Sequence, residues 1–105
     1  MHSHSIKYII AEGLDVDFYS FKERAGRYME AIDVSDGVYK GYDAEGRLLR
    51  ISPRKQASQI ELAEDEPQHA QELAHLLVRF LTALGRIPTR RDLGSLLEMC
   101  AQYVR

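Results

Sequence analysis

The chain has 105 residues and 12.0 kDa, 45% of them apolar and 29% charged, which is the size and make-up of one globular domain rather than two. A chain of this length buries roughly two thirds of its unfolded surface and needs no disulfide or structural metal to hold a core. Fourteen Lys and Arg against sixteen Asp and Glu give a net charge of -2, so no basic excess advertises nucleic acid, and the single cysteine, Cys100, excludes an internal disulfide.

The longest apolar runs, Ile9-Ile10-Ala11 and Leu76-Leu77-Val78, fall far short of the ~20 residues that cross a bilayer. Residues 1–5 carry neither a basic segment nor an apolar one of the kind that directs secretion, so a cytoplasmic location and no membrane association are expected.

Residues 5–62 alternate with period two between turn-forming residues, the pattern of antiparallel strands. Ile6, Tyr8 and Ile10 share a face of the first strand, and Glu12-Gly13 reverses the chain into Leu14, Val16 and Phe18, with Asp15, Asp17 and Tyr19 pointing the other way. A third strand is expected over Arg27 to Val34 after the break at Arg24-Ala25-Gly26, followed by a turn at Ser35-Asp36-Gly37. Val38 to Tyr42 and Arg47 to Ser52 form the fourth and fifth strands. Asp43-Ala44-Glu45-Gly46 between them has the Asp-first, Gly-last signature of a type I turn. Pro53 ends the fifth strand, and Gln56 to Leu62 supplies a sixth.

Beyond Ala63 the period lengthens to 3.6. Asp65 with Gln68 three residues on, and Pro67 between them, reads as a capped helix start near residue 66. Leu73, Leu77, Phe80, Leu81 and Leu84 form the apolar stripe, and Gly85 is a left-handed stop. Thr89 with Asp92 reads as a second capping box for a helix over about 90–104, with Leu93, Leu96, Leu97, Cys100 and Val104 inward. The expectation is therefore an α+β fold in a single domain, residues 1–105: an antiparallel sheet of about five or six strands followed by a C-terminal two-helix hairpin, with helices about 66–84 and 90–104, packed on one face. The other face, with Asp15, Asp17, Tyr19, Lys40, Arg50 and Glu61, is expected to be either solvated or a docking surface.

No catalytic constellation is legible. Cys100 lies on an apolar helix stripe, no serine sits in a Gly-x-Ser-x-Gly turn, and no glycine-rich phosphate loop is present, so no cofactor and no enzymatic activity are expected. His69, Glu72 and His75 follow an H-x-x-E-x-x-H spacing, but at 100° per residue the imidazoles stand about 120° apart around the helix, so no metal is assigned to them. His2 and His4 are terminal.

Charge is blocky. Glu61, Glu64, Asp65 and Glu66 make an acidic block, Arg47, Arg50, Arg54 and Lys55 a basic one, and Arg86, Arg90 and Arg91 a second basic one. Each block reads as a solvated turn or as a contact surface. The acidic block with Asp15 and Asp17 would steer a basic protein partner, with Tyr19 or Tyr39 filling a central pocket. The second reading is a small nucleic-acid-binding regulator: Gly85 to Leu93 resembles the approach to a recognition helix, with Arg86, Arg90 and Arg91 on phosphates.

Gly41-Tyr42-Asp43-Ala44-Glu45-Gly46-Arg47-Leu48-Leu49-Arg50-Ile51 resembles one unit of the YD repeats of large bacterial toxin-delivery shells, a hairpin motif. In size, order of elements and lack of a legible active site, the whole chain resembles the small immunity proteins of bacterial polymorphic-toxin and contact-dependent growth inhibition systems. That resemblance implies a protein-binding inhibitor that occludes a cognate, nuclease-type toxin domain, with Asp15, Asp17, Tyr19, Tyr39, Glu61, Glu64, Asp65 and Glu66 as the candidate contact residues.

Overall fold

The computed structural model describes residues 5–13, 15–29, 33–34, 37–53 and 58–105. Five strands, β1 (Tyr8–Glu12), β2 (Asp15–Tyr19), β3 (Lys40–Asp43), β4 (Leu48–Ser52) and β5 (Gln59–Leu62), form one antiparallel sheet in the order β2-β1-β3-β4-β5. Helix α1 (Lys22–Tyr28) lies between β2 and β3 in sequence, while α2 (Ala70–Ala83) and α3 (Leu93–Cys100) follow the sheet. The fold is α+β with a C-terminal helix pair, as the change of period from 2 to 3.6 requires.

The strand registers divide the apolar residues between two cores. Ile9 opposite Phe18 and Tyr42, with Val16, faces α2 and α3, where Leu73, Leu77, Leu81, Leu96, Leu97 and Cys100 complete the larger core. Phe80 adds edge-on ring contacts with Phe18 at 5.2 Å and Tyr103 at 5.5 Å. On the opposite face Ile10, Tyr19, Leu49 and Ile60 pack with Ala25 and Met29 in a second, smaller core beneath α1. Ile6, grouped with Tyr8 and Ile10 by alternation, precedes β1 and belongs to the larger core.

The second core corrects the expectation of an open sheet face. Residues 27 and 28 belong to α1 rather than to a third strand, and residues 30–32 of that expected strand lie outside the described residues. Seven residues are too few for a helix that is stable alone. Tertiary burial of Ala25 and Met29, one turn apart, is what holds α1, and Gly26 lets it lie directly on the chain before β5: the Ser58 amide donates to the Gly26 carbonyl at 2.9 Å. Tyr19, expected outside, is 1% exposed, and burial pushes its hydroxyl pKa up to about 12, with the Asp17 charge adding to the rise and Arg105 opposing it.

The residues expected together on the open face are also divided by register. Asp15, Asp17 and Tyr19 face the α1 side, whereas Lys40 pairs with Ala11, and Arg50 with Glu61, on the α2 side. Lys40 then reaches Glu72 of α2, Nζ to Oε2 2.7 Å.

The helix ends differ in detail from the capping pattern. Glu64, not Asp65, serves the start of α2, its Oε1 accepting from the Gln68 amide at 3.3 Å. Asp92, not Thr89, caps α3 by accepting from the Ser95 amide at 3.0 Å, so that helix starts at Leu93. Gly85 takes φ +78° as expected, with its amide donating to Thr82 and that of Arg86 to Leu81, the paired bonds of a Schellman stop. α3 gives way to a 3-10 turn at Ala101–Tyr103, and Val104, expected on the helix stripe, instead bridges Phe18 in parallel, covering the outer edge of β2.

Candidate functional site

The β3–β4 connection is the hairpin turn that its sequence encodes. The Asp43 carboxylate accepts from the amides of Glu45 at 2.9 Å and Arg47 at 2.8 Å, and the Gly46 amide donates to the Asp43 carbonyl at 3.2 Å with Gly46 at φ +94°. This turn does not stand free. The His69 amide donates to the Gly46 carbonyl at 3.0 Å, and the Arg47 side chain holds Asp43 and Glu45 through its Nη1 while its Nε donates to the Asp65 carbonyl at 2.7 Å.

The acidic segment after β5 is drawn to the same place. The Ala63 amide donates to the Leu48 carbonyl at 2.9 Å, and Glu64 Oε1 accepts from the Leu48 amide at 2.9 Å and lies 2.9 Å from His69 Nδ1. Two turns that are distant in sequence thus form one end of the molecule, with the Asp43 and Glu45 carboxylates and the Asp65 carbonyl on the Arg47 guanidinium and Glu61 and Glu66 in the segment that Asp65 belongs to. Of these, Glu45, Glu61, Asp65 and Glu66 are exposed. Beside them a shallow hollow of about 520 Å³ has Tyr8, Leu49, Ile60 and Leu62 in its lining, together with the acids Asp43, Glu45 and Glu61 and the lysines Lys7 and Lys22. Leu62, 55% exposed, offers apolar surface there.

Glu64 is spent on internal bonds, its side chain only 14% exposed. Burial opposes its ionisation, but the bonds from His69 and from the Leu48 and Gln68 amides outweigh burial and hold the carboxyl below its ordinary range. A carboxyl depressed by folding contributes stability that is full above the unfolded pKa of about 4.3 and fades as pH falls through the lower folded value. Replacing Glu64 by Gln is therefore expected to cost stability at neutral pH, with a cost that shrinks on acidification below about pH 4. Urea unfolding of both proteins over a pH series checks this, and a cost independent of pH would contradict the assignment.

The other expected contact residues are dispersed. Asp15 is exposed on β2, and Asp17 pairs with Arg105 at 3.0 Å, its Oδ1 accepting from Nε. Tyr39 is half-buried at the edge of the smaller core. β2 and β5 are the two outer strands, four spacings or about 19 Å apart, so Asp15 and Asp17 are not continuous with the acidic end. The residues that sequence reasoning missed are Asp43 and Glu45. Only their place in the turn was legible, because nothing local tells which other segment a hairpin tip will meet.

The basic cluster is divided as well. Arg86 donates to the Met99 carbonyl at 2.9 Å and the Tyr103 hydroxyl at 3.2 Å and lies over the Tyr103 ring, so it joins the α2–α3 connector to the chain end. Arg90 lies 3.4 Å from Asp92, and Arg91 is exposed. Arg54 and Lys55 lie outside the described residues, as do His2 and His4.

Two further groups face inward. Tyr42, 3% exposed, donates its hydroxyl to Glu72, which also holds Lys40, and this fastens β3 to α2; burial and then the bond to Glu72 raise the Tyr42 pKa well above that of a free tyrosine. The Cys100 thiol is buried and pushed up to about 12, with Arg86 only partly offsetting the effect of burial, so at neutral pH it is an inert core group. Among the described residues no group of three His, Cys, Asp or Glu side chains is placed to hold a metal ion, and no helix is long and apolar enough to cross a membrane. No family model matches the chain, and no curated protein or solved structure shows significant similarity to it.

Proposed function

We propose that this protein is a non-enzymatic, protein-binding inhibitor of the immunity type, which docks on a basic, nuclease-type toxin domain and covers it. The observation that carries this reading is the clasp formed by Arg47: it joins two acidic turns into one preorganised surface beside a hollow with apolar lining. Glu45, Glu61, Asp65 and Glu66 are the steering charges, since exposed carboxylates of one sign raise the encounter rate with a cationic partner. The hollow takes an aliphatic or aromatic side chain of the partner against Tyr8, Leu49, Ile60 and Leu62, and that desolvated contact supplies most of the affinity. Lys7 and Lys22, also in the lining, fix orientation by meeting an acidic group of the partner. A cytoplasmic site of action fits a chain whose one thiol is a core group.

The test is stopped-flow association with the basic domain encoded beside this protein in its source genome. The pair Asp65→Lys with Glu66→Lys is expected to slow association about tenfold or more at low salt and to flatten its salt dependence, with a smaller change in dissociation. Kinetics identical to the parent protein across the salt series would reject the acidic end as the contact surface. The alternative of a nucleic-acid-binding regulator loses Arg86 to the Met99 carbonyl and Tyr103, and its Arg90 pairs with Asp92.

A further inference from the structure

A second hollow, sharing no residue with the acidic end, lies on the flank of α2 next to the α2–α3 connector. It is lined by Gln71, Ala74, His75, Val78, Arg79 and Arg91 and has a volume of about 540 Å³. Gln71, His75 and Arg79 recur every fourth residue, so they run along one row of the helix within about 80° of arc. Arg91 comes from the connector and closes the row from the side. Ala74 and Val78, both half-buried, provide the apolar part of the lining.

The electrostatics of this lining are one-sided. It contains two guanidiniums, an imidazole and an amide, and no carboxylate. The nearby acids are engaged elsewhere: Glu72 holds Lys40 and Tyr42, and Asp92 caps α3 and pairs with Arg90. Among the described residues neither the Arg79 nor the Arg91 side chain takes part in an ion pair or hydrogen bond.

We propose that this hollow binds a small phosphorylated molecule of mononucleotide size. The phosphate meets Arg79 and Arg91, whose planar guanidiniums each present paired donors to two of its oxygens. His75 and Gln71 donate to the remaining phosphate or sugar oxygens, and the planar organic part lies on Ala74 and Val78. The volume is in the range of about 300–1,000 Å³ usual for small-molecule sites. Two free arginines bracketed by Glu72 and Asp92 do not make a track for a polynucleotide. They neutralise about two phosphates, which gives polynucleotide binding little affinity at physiological salt.

The test is a titration of the full-length, isotope-labelled chain with each of the four ribonucleoside 5′-monophosphates, followed by amide NMR, with inorganic phosphate and the parent nucleosides in parallel. At least one monophosphate is expected to saturate with Kd at or below about 1 mM, moving the amides of residues 71–79 and 91, and to bind about tenfold more tightly than either inorganic phosphate or its nucleoside. The double variant Arg79→Gln, Arg91→Gln changes only exposed side chains, keeps the dispersed spectrum of the fold and is expected to weaken that binding at least about tenfold. The proposal is overturned if no monophosphate saturates, if inorganic phosphate binds as tightly as the best nucleotide, or if the double variant binds like the parent. It is also overturned if a single-stranded oligonucleotide binds more tightly than any monophosphate with a salt slope of more than about two phosphates.

Discussion

Replacing Gly26 by Ala is expected to destabilise the protein by roughly 2–5 kcal/mol, although Gly26 sits inside a helix, where the same change ordinarily stabilises by about 1 kcal/mol. The reversal of sign comes from position. A methyl group built on Gly26 would lie 2.2 Å from the Ser58 carbonyl oxygen, and a peptide carbonyl before a strand cannot swing aside as a side chain can. Relief requires α1 to lift from β5. That breaks the 2.9 Å bond between the Ser58 amide and the Gly26 carbonyl and opens the small core around Tyr19, Met29 and Ile60. At about 4–8 °C per kcal/mol for a domain of this size, the midpoint of thermal unfolding should fall by roughly 8–40 °C. Calorimetry on the parent and the variant measures it, and an unchanged or raised midpoint would refute the close approach of α1 to the sheet.

Gly46→Ala is expected to do comparable damage for two separable reasons. At φ +94° an alanine is strained by roughly 1–2 kcal/mol, and its Cβ would lie 2.4 Å from the Cα of Ala70 at the start of α2, adding about 1–3 kcal/mol of steric conflict. Gly85→Ala is the control, because Gly85 has φ +78° with open space where the methyl would go and so carries the first cost alone. The excess of the Gly46 variant over the Gly85 variant in urea unfolding therefore reports the contact between the hairpin tip and α2. Equal losses would mean that the tip does not press on the helix. For the docking proposed at the acidic end, the same variant should weaken binding beyond its effect on stability, since the Gly46 carbonyl and the His69 amide help hold the two acidic turns together.

These two glycines mark where sequence reasoning stopped. Gly46 was legible as a turn residue, because Asp first and Gly last in four residues encode a type I turn whatever surrounds it. Gly26 is legible only as an interruption, which by pattern reads as a break before a strand. Its neighbours Lys22, Glu23, Arg24 and Arg27 are polar, and the apolar residues spaced one turn apart within reach are few, Phe21, Ala25, Tyr28 and Met29, too little signal for a helix by pattern. The packing of α1 on β5, far along the chain, is what makes that pair a core.

The candidate contact residues followed the same rule. Sequence reads Glu61, Glu64, Asp65 and Glu66 as one acidic block at the end of a strand, and contiguous residues stay together in any fold. It grouped Asp15 and Asp17 with them on the assumption of a shared face, whereas strand order sends β2 and β5 to opposite margins of the sheet. Tyr19 alternates out of step with Phe18 as expected, but both sheet faces are covered, so alternation only moved it from one core to the other.

The amino-acid sequence by itself determined what depends on neighbours a few residues away: the strand-rich first half, the Asp43–Gly46 hairpin, the leucine stripe of α2 and its stop at Gly85. Turn chemistry and side-chain period act within one or two turns of chain, so they are written locally. Only the tertiary structure decided that β1 lies between β2 and β3, that α1 closes the second sheet face, and that Arg47 draws two acidic turns into one surface. Those outcomes rest on contacts between residues tens of positions apart, where the free energy of burying apolar area selects the partner and no local pattern records the choice.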